Sequence, residues 1–399
     1  VADVNEELFD ALVRHQIYLM RLSGGIRRRI EDILNATEED LAEKIRDRLR
    51  NATGGLTPTN LRRMQVLRRI IANIRTRAWD QIDELWLSEM IDIAKAEPEF
   101  MAGAMRTVAP VTLDLVIPPV ATLRALVTSR PFEGRTLREW AQSIRRDDLR
   151  RIESAIQVGI ASGESSAQIA RRVVGTARLR GVDGVTEITR RAAAAITRTA
   201  VSHVSNAAKQ EFYRENSDVI QEELYVATLD ARTTPVCRAN DGKRFALGKG
   251  PMPPLHFNCR SLRVALFDGR ALGTRPAKPV TERQLVREFA QRRGLSGVTT
   301  RDSLPRGTKG AYDKFAQARI RELTGQVRAD VSYQQWLKRQ SAAFQDDILG
   351  KTKGALFRRG GLQLDKFVNR AGDELSLSDL ARRHRDAFVA AGLDPEDFI

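Results

Sequence analysis

YVATLDARTTPVCRANDGKRFALGKGPMPPLHFNCRSLRVALF, residues 225–267, interrupts a chain that otherwise reads as helix. It holds both cysteines, one of the four histidines and the densest run of Gly and Pro. β-type runs open and close it, at 224–228 and 262–267. Between them lie turn signals at Thr234-Pro235 and Asp241-Gly242, and the rigid Pro251-Met252-Pro253-Pro254. A connection this long, read as having no helix of its own, needs something to hold it. Cys237, His256 and Cys259, spaced C-x18-H-x2-C, are the candidates.

Working upstream, residues 186–216 read as one long helix. Ile188, Ala192, Ala195, Ile196, Ala200, Val204, Ala207 and Phe212 lie along its buried side; His203, on the same helix, is given no role. Thr136 with Glu139 is a capping-box pattern ahead of a helix through Trp140, Ile144, Leu149, Ile152 and Ile156. A further helix starts at Ser165 or Ser166 and stops at Gly175, and residues 129–134 read as a hinge. From Thr59 to Ala96 apolar residues step by three or four: Leu61, Met64, Leu67, Ile71, Ile74, Ala78, Ile82, Leu85. This single stripe needs a partner, an internal bundle, and Pro98 is expected to end the helix. Nearer the N-terminus, helical periodicity is broken at Gly24-Gly25, and residues 51–55 form a turn.

Downstream, residues 269–307 read as a linker carrying one helix, 282–293. Helices then follow at 310–324 and 333–357, the second weakened at Gly350 and Gly354, and Ser376 caps a last helix containing Leu380. The expected fold is mainly α, an elongated helical protein with a small β-containing loop module at 222–270. The expected domains are 1–128 (N-terminal helical region), 129–270 (helices plus the Cys/His module), 271–308 (linker) and 309–399 (C-terminal helical region).

A chain of 399 residues that is 42% hydrophobic can bury an ordinary core. No signal peptide and no apolar run near the ~18 residues of a membrane span is read, so no membrane partner is expected. Two cysteines cannot form a disulfide framework, which fits assembly in a cytosol. The net charge is +15, and only 12 of the 66 basic residues are lysine. Excess positive charge points to a polyanion. The arginines are interleaved with acids, however, as in Arg145-Arg146-Asp147-Asp148, and few aromatics are available to stack on bases. This is the pattern of a chain that sits near DNA without reading it.

Several stretches, in order, resemble the Mu F-like head morphogenesis family of tailed-phage minor head proteins. The centre of the resemblance is 227–237, Asp241-Gly242 and 254–261 (PLHFNCRS), with 198–206 as the approach to it. The stretches 134–140 and 159–163 also resemble the family, and Tyr333–Gln340, Phe344-Gln345 and Leu349-Gly350 resemble a C-terminal extension. The resemblance spans roughly 130–385; residues 1–125 resemble nothing nameable. It implies a structural minor capsid protein in few copies, made in the host bacterial cytoplasm and bound at the portal vertex inside the capsid. Its expected partners are the portal protein, major capsid or scaffold protein, and packaged DNA held by non-specific electrostatics. Two other classes stay open: a basic DNA-binding protein ejected with the genome, and a metal-dependent nuclease.

The central loop has three open readings. Cys237, His256 and Cys259 with Asp230, or else Asp241, as fourth donor would make a structural zinc site. A Cys237–Cys259 disulfide formed after virion release is the second, and two buried free thiols the third. Asp230 is otherwise expected to pair with Arg232, and Arg260 to bond nearby carbonyls. A nucleophilic Cys/His pair is disfavoured because no Gly-rich oxyanion turn or helix N-terminus is read beside either cysteine. Asp230 with Asp241 is thin support for a nuclease, Asp346-Asp347 reads as a solvated or capping pair, and no enzymatic activity is expected.

Overall fold

Helix α1 (Ala2–Asn35) runs unbroken through Gly24-Gly25. A Cβ on either glycine would meet nothing within 4 Å, so neither permits a close approach. The helix bears the propensity cost of ~1 kcal/mol per glycine because Leu19, Ile26, Ile30 and Leu34 are buried in a common core. The computed structural model describes residues 2–50, 57–109, 113–179, 181–266 and 274–399. The turn expected at 51–55 lies outside them.

After α2 (Glu38–Leu49) comes α3 (Pro58–Val108), the longest helix, with Thr57 as N-cap accepting from the Asn60 amide. It passes through Pro98 instead of stopping there. The proline withholds one hydrogen bond from the carbonyl four residues back. Beyond it Met101, Ala102 and Met105 are buried with Leu8, Phe9, Phe212 and Tyr213, and that packing outweighs the lost bond. α4 (Val120–Ser129) leads into the expected hinge, which is a tight turn: Phe132 pairs with Arg135 across Glu133 and Gly134, both at positive φ. α5 (Leu137–Ala161) and α6 (Ser166–Val174) start at capping boxes on Thr136 and Ser165, and α6 ends at Gly175 with φ +79°.

α7 (Thr186–Glu215) is the hub, packed against α1, α3 and α5 and buried on nearly every side. Small residues make this possible, because Ala193, Ala200 and Ala208 let Trp79, Ile82 and Trp86 come close. Trp86 Nε1 donates to Thr197 Oγ1 at 2.9 Å. The single apolar stripe expected for α7 is thus too narrow, and Ile188, placed in it, is half exposed. The first turn faces inward through polar groups: Thr186 donates to Glu38 and Thr189 to Asp148 at 2.9 Å. Asp148 also receives Arg75 at 2.7 Å and Trp79 at 3.0 Å, all buried.

The remaining elements are β1 (Glu222–Val226), β2 (Leu229–Asp230), α8 (Pro235–Asn240), β3 (Arg244–Ala246), β4 (Leu262–Leu266) and β5 (Thr274–Lys278). They continue with α9 (Glu282–Arg292), α10 (Lys309–Leu323), β6 (Gly325–Arg328), α11 (Tyr333–Lys338), α12 (Ala342–Leu349), α13 (Lys351–Arg358), α14 (Leu377–Arg383) and α15 (Arg385–Ala390). The first sheet, ordered β3-β1-β4, is antiparallel with Tyr225 opposite Arg263, and it packs on the α1, α3 and α7 ends through Leu224, Val226, Leu262 and Val264. The second sheet, ordered β2-β5-β6, pairs β2 parallel to β5 and β5 antiparallel to β6.

The fold is mainly α with a small β module, as expected. Four further details differ from the sequence reading. The central loop does carry a helix, α8, because Thr234-Pro235 supplies an N-cap and an N1 proline. The stretch read as a linker carries the expected helix, α9, but also forms β5, and α9 joins α10 in a core of Val286, Phe289 and Tyr312. Residues 333–357 are three short helices, cut at 339–341, where Ser341 caps a new start, and at Gly350, with φ +81°. The helix capped by Ser376 is followed by α15 and so is not the last. Phe267, read as the end of a strand, lies outside the described residues.

Candidate functional site

Two segments bring the three candidate ligands together. Cys237 sits in the first turn of α8, so a helix N-terminus does lie beside it, contrary to the sequence reading. His256 and Cys259 close a turn in which the Cys259 amide donates to the His256 carbonyl at 3.1 Å. That turn is fastened to the helical body. The Asn258 amide donates to Thr199 Oγ1 at 3.0 Å, Arg198 donates to Asn258 Oδ1 at 2.6 Å, and Phe257 meets Trp140 edge-on at 5.3 Å. Asn258 has φ +60°, a conformation Asn tolerates better than most residues. Behind the turn, buried Arg263 donates to the Lys249 and Pro251 carbonyls and pairs with Glu223 at 3.1 Å. It stacks on Phe245, whose ring a Cβ at Gly250 would strike.

Cys237 Sγ lies 3.8 Å from Cys259 Sγ and 3.3 Å from His256 Nε2, and the three donor atoms are all within 4.8 Å of one another. The sulfurs are well beyond the ~2.05 Å of a disulfide. Both cysteines are buried and free, and they share a small apolar cluster with Tyr225 and Ala227. Tyr225 donates its hydroxyl to Cys237 Sγ at 3.3 Å, and burial pushes its own pKa far up, so it stays a donor. The hydrogen bond from Cys259, with those from His256, Ser261 and Tyr225, pulls Cys237 well below the thiol range against the effect of burial. Cys259, which donates to it and is buried, is pushed far above the thiol range. Burial opposes a charge on His256, but the hydrogen bonds to Cys237 and to the Phe257 carbonyl raise its pKa. His256 and Cys259 also line a cavity of about 590 Å³ with Arg198, Arg232, Thr234 and Arg260.

The two aspartates weighed as a fourth ligand have other work. Both Asp230 oxygens take Arg260, at 2.5 and 2.8 Å, and Oδ1 also accepts from the Arg232 amide. Arg260 thus bonds a carboxylate, not carbonyls. The Arg232 side chain, expected as the partner, stands off at 3.9 Å. Burial would raise the Asp230 pKa, but Arg260 outweighs it and holds it low. Asp241 forms a bidentate pair with buried Arg275, both bonds at 2.7 Å, and accepts from the Ala227 and Tyr333 amides. Tyr333 in turn donates its hydroxyl to the Asp230 carbonyl at 2.8 Å. The two acids therefore tie the module to β5 and to the start of α11. Asp347 accepts from Thr281 and pairs with Arg283, and Asp346 pairs with Arg358.

Sequence reasoning missed Arg275, Arg263 with Glu223, and the Tyr225 hydroxyl. The one available signal was the alternation in Thr274-Arg275-Pro276-Ala277-Lys278, whose second and fourth residues are the buried ones. It also missed a charged group in the helical core. There Glu97 meets His15 at 2.6 Å and Lys209 at 3.8 Å.

Residues 150–263 match the family model described as phage Mu protein F like protein. The match bears out the Mu F-like resemblance over that stretch, under a third of the chain, from within α5 to β4 and across all three candidate ligands. Neither the curated proteins nor the solved structures contain a match.

Proposed function

We infer that this chain is a minor capsid protein of a tailed phage, acting in head morphogenesis as an architectural part. The observation that carries the reading is the Mu F-like match over α5 to β4. Within the matched stretch Asp230 is held by Arg260, and Asp241 is held by Arg275, which lies just beyond it. The finer reading is a protein bound at the portal vertex, inside the capsid and beside packaged DNA, with portal, capsid or scaffold protein as partners. The net charge of +15 supports proximity to DNA.

The same charge favours a second reading, a basic DNA-binding protein ejected with the genome. A nuclease is not favoured, because clustered free carboxylates are what a divalent-ion site requires and Asp230 and Asp241 are each held by an arginine. Quantitative mass spectrometry of purified mature particles, counting this chain against the portal subunit, tests the proposal. A few copies per portal ring is the expected result. Absence from mature particles would overturn it and leave an assembly factor that departs or a free enzyme.

A further inference from the structure

We propose that Cys237 Sγ, Cys259 Sγ and His256 Nε2 bind one zinc ion, with a solvent oxygen as the fourth donor. Two of the three donor separations are close to those of a tetrahedral site, and the third, Cys259 Sγ to His256 Nε2, is within 4.8 Å. Two sulfurs each about 2.3 Å from a zinc ion stand about 3.8 Å apart, and a sulfur and an imidazole nitrogen about 3.6 Å. The observed separations are 3.8 Å and 3.3 Å.

The histidine is oriented for the task. His256 Nδ1 lies 2.8 Å from the Phe257 carbonyl, which can only accept, so Nδ1 carries a proton and Nε2 is the atom turned to sulfur. A backbone carbonyl on the far ring nitrogen is the usual support of a metal-binding histidine. On the other side, the Tyr225 hydroxyl steadies Cys237. Two thiolates and an imidazole are a soft set that suits zinc and not magnesium or calcium.

The fourth donor is neither aspartate, since both Asp230 oxygens are taken by Arg260 and both Asp241 oxygens by Arg275. Thr234 Oγ1 is buried and has no hydrogen-bond partner among the described residues. It lines the same small cleft as Cys237 and His256, where it would hold the solvent oxygen. Metal binding would join α8 to the 256–259 turn and, through Asn258 and Thr199, to α7.

The test is metal analysis of the full chain purified under reducing conditions, then reconstitution with cobalt. The expected result is one equivalent of zinc, lost in Cys237→Ser, Cys259→Ser and His256→Ala and retained in Asp230→Asn. The cobalt form should show thiolate charge-transfer bands and intense tetrahedral ligand-field bands, and azide should shift the latter by replacing solvent. Should the cysteine variants fail to fold, a chelator's effect on the unfolding temperature decides, lowering it in the wild type and leaving His256→Ala unmoved. A reduced wild-type chain that binds no zinc overturns the site. Loss of zinc in a folded Asp230→Asn chain overturns the ligand set, and a cobalt spectrum indifferent to azide overturns the solvent position.

Discussion

His203 shows what a buried titratable side chain does when no function claims it. It lies on α7 against Phe132, with ring centroids 5.2 Å apart, and its Nε2 is buried with no partner among the described residues. Burial, with Arg130 close by, lowers its pKa to about 4. The folded value lies below the unfolded value of about 6.5, so between them the unfolded chain binds the extra proton. Stability therefore falls as pH drops from about 6.5 towards about 4. His203→Leu should flatten that part of the stability–pH profile by up to about 3 kcal/mol. Urea unfolding at several pH values checks it, and an unchanged slope would show that His203 is not neutral in the fold. At this scale the sequence was partly legible. Cys237, His256 and Cys259 could be picked out because their chemistry is rare in this chain. The Asp230–Arg260 and Asp241–Arg275 pairs could not, because one arginine among many carries no sign of which acid it will meet.

Among elements, local signals were read well wherever the chain decides for itself. Thr136-x-x-Glu139 and Ser165 start α5 and α6 as their cap chemistry requires. Thr136→Ala should cost about 1 kcal/mol in a urea melt. The misreadings fall where tertiary packing overrides propensity: Gly24-Gly25 inside α1 and Pro98 inside α3 both sit in helices gripped by neighbours. Strand pairing was the least legible, since β2, β5 and β6 come from segments as far apart as 229 and 328. The Asp241–Arg275 pair ties β5 to the end of α8 and, through the Tyr333 amide, to the start of α11. Arg275→Met alone should destabilise the chain by about 3–5 kcal/mol, since it leaves a buried carboxylate unpaired. Arg275→Met with Asp241→Asn should recover part of that loss. A double-variant loss equal to the sum of the Arg275→Met and Asp241→Asn losses would mean the pair carries no coupling.

The whole molecule carries +15, but much of its basic charge is already engaged. Arg75, Arg263 and Arg275 are buried against Asp148, Glu223 and Asp241, and surface arginines such as Arg68, Arg150 and Arg319 stand beside acids. With so many arginines already paired to acids, contact with DNA should involve few phosphates. For about four phosphates, counterion release predicts a roughly 100-fold loss of affinity between about 50 and 200 mM salt, whatever the sequence of the duplex. An interface that docks a protein partner through buried apolar and hydrogen-bonded contacts is screened far less. Titrating the full chain against a random duplex and against assembled portal over that salt range separates the two readings of the charge. The architectural reading expects the portal complex to persist while the DNA complex dissolves. DNA binding that collapses steeply with salt, with no affinity for portal, would instead make nucleic acid the true partner, and the charge would be the function and not its setting.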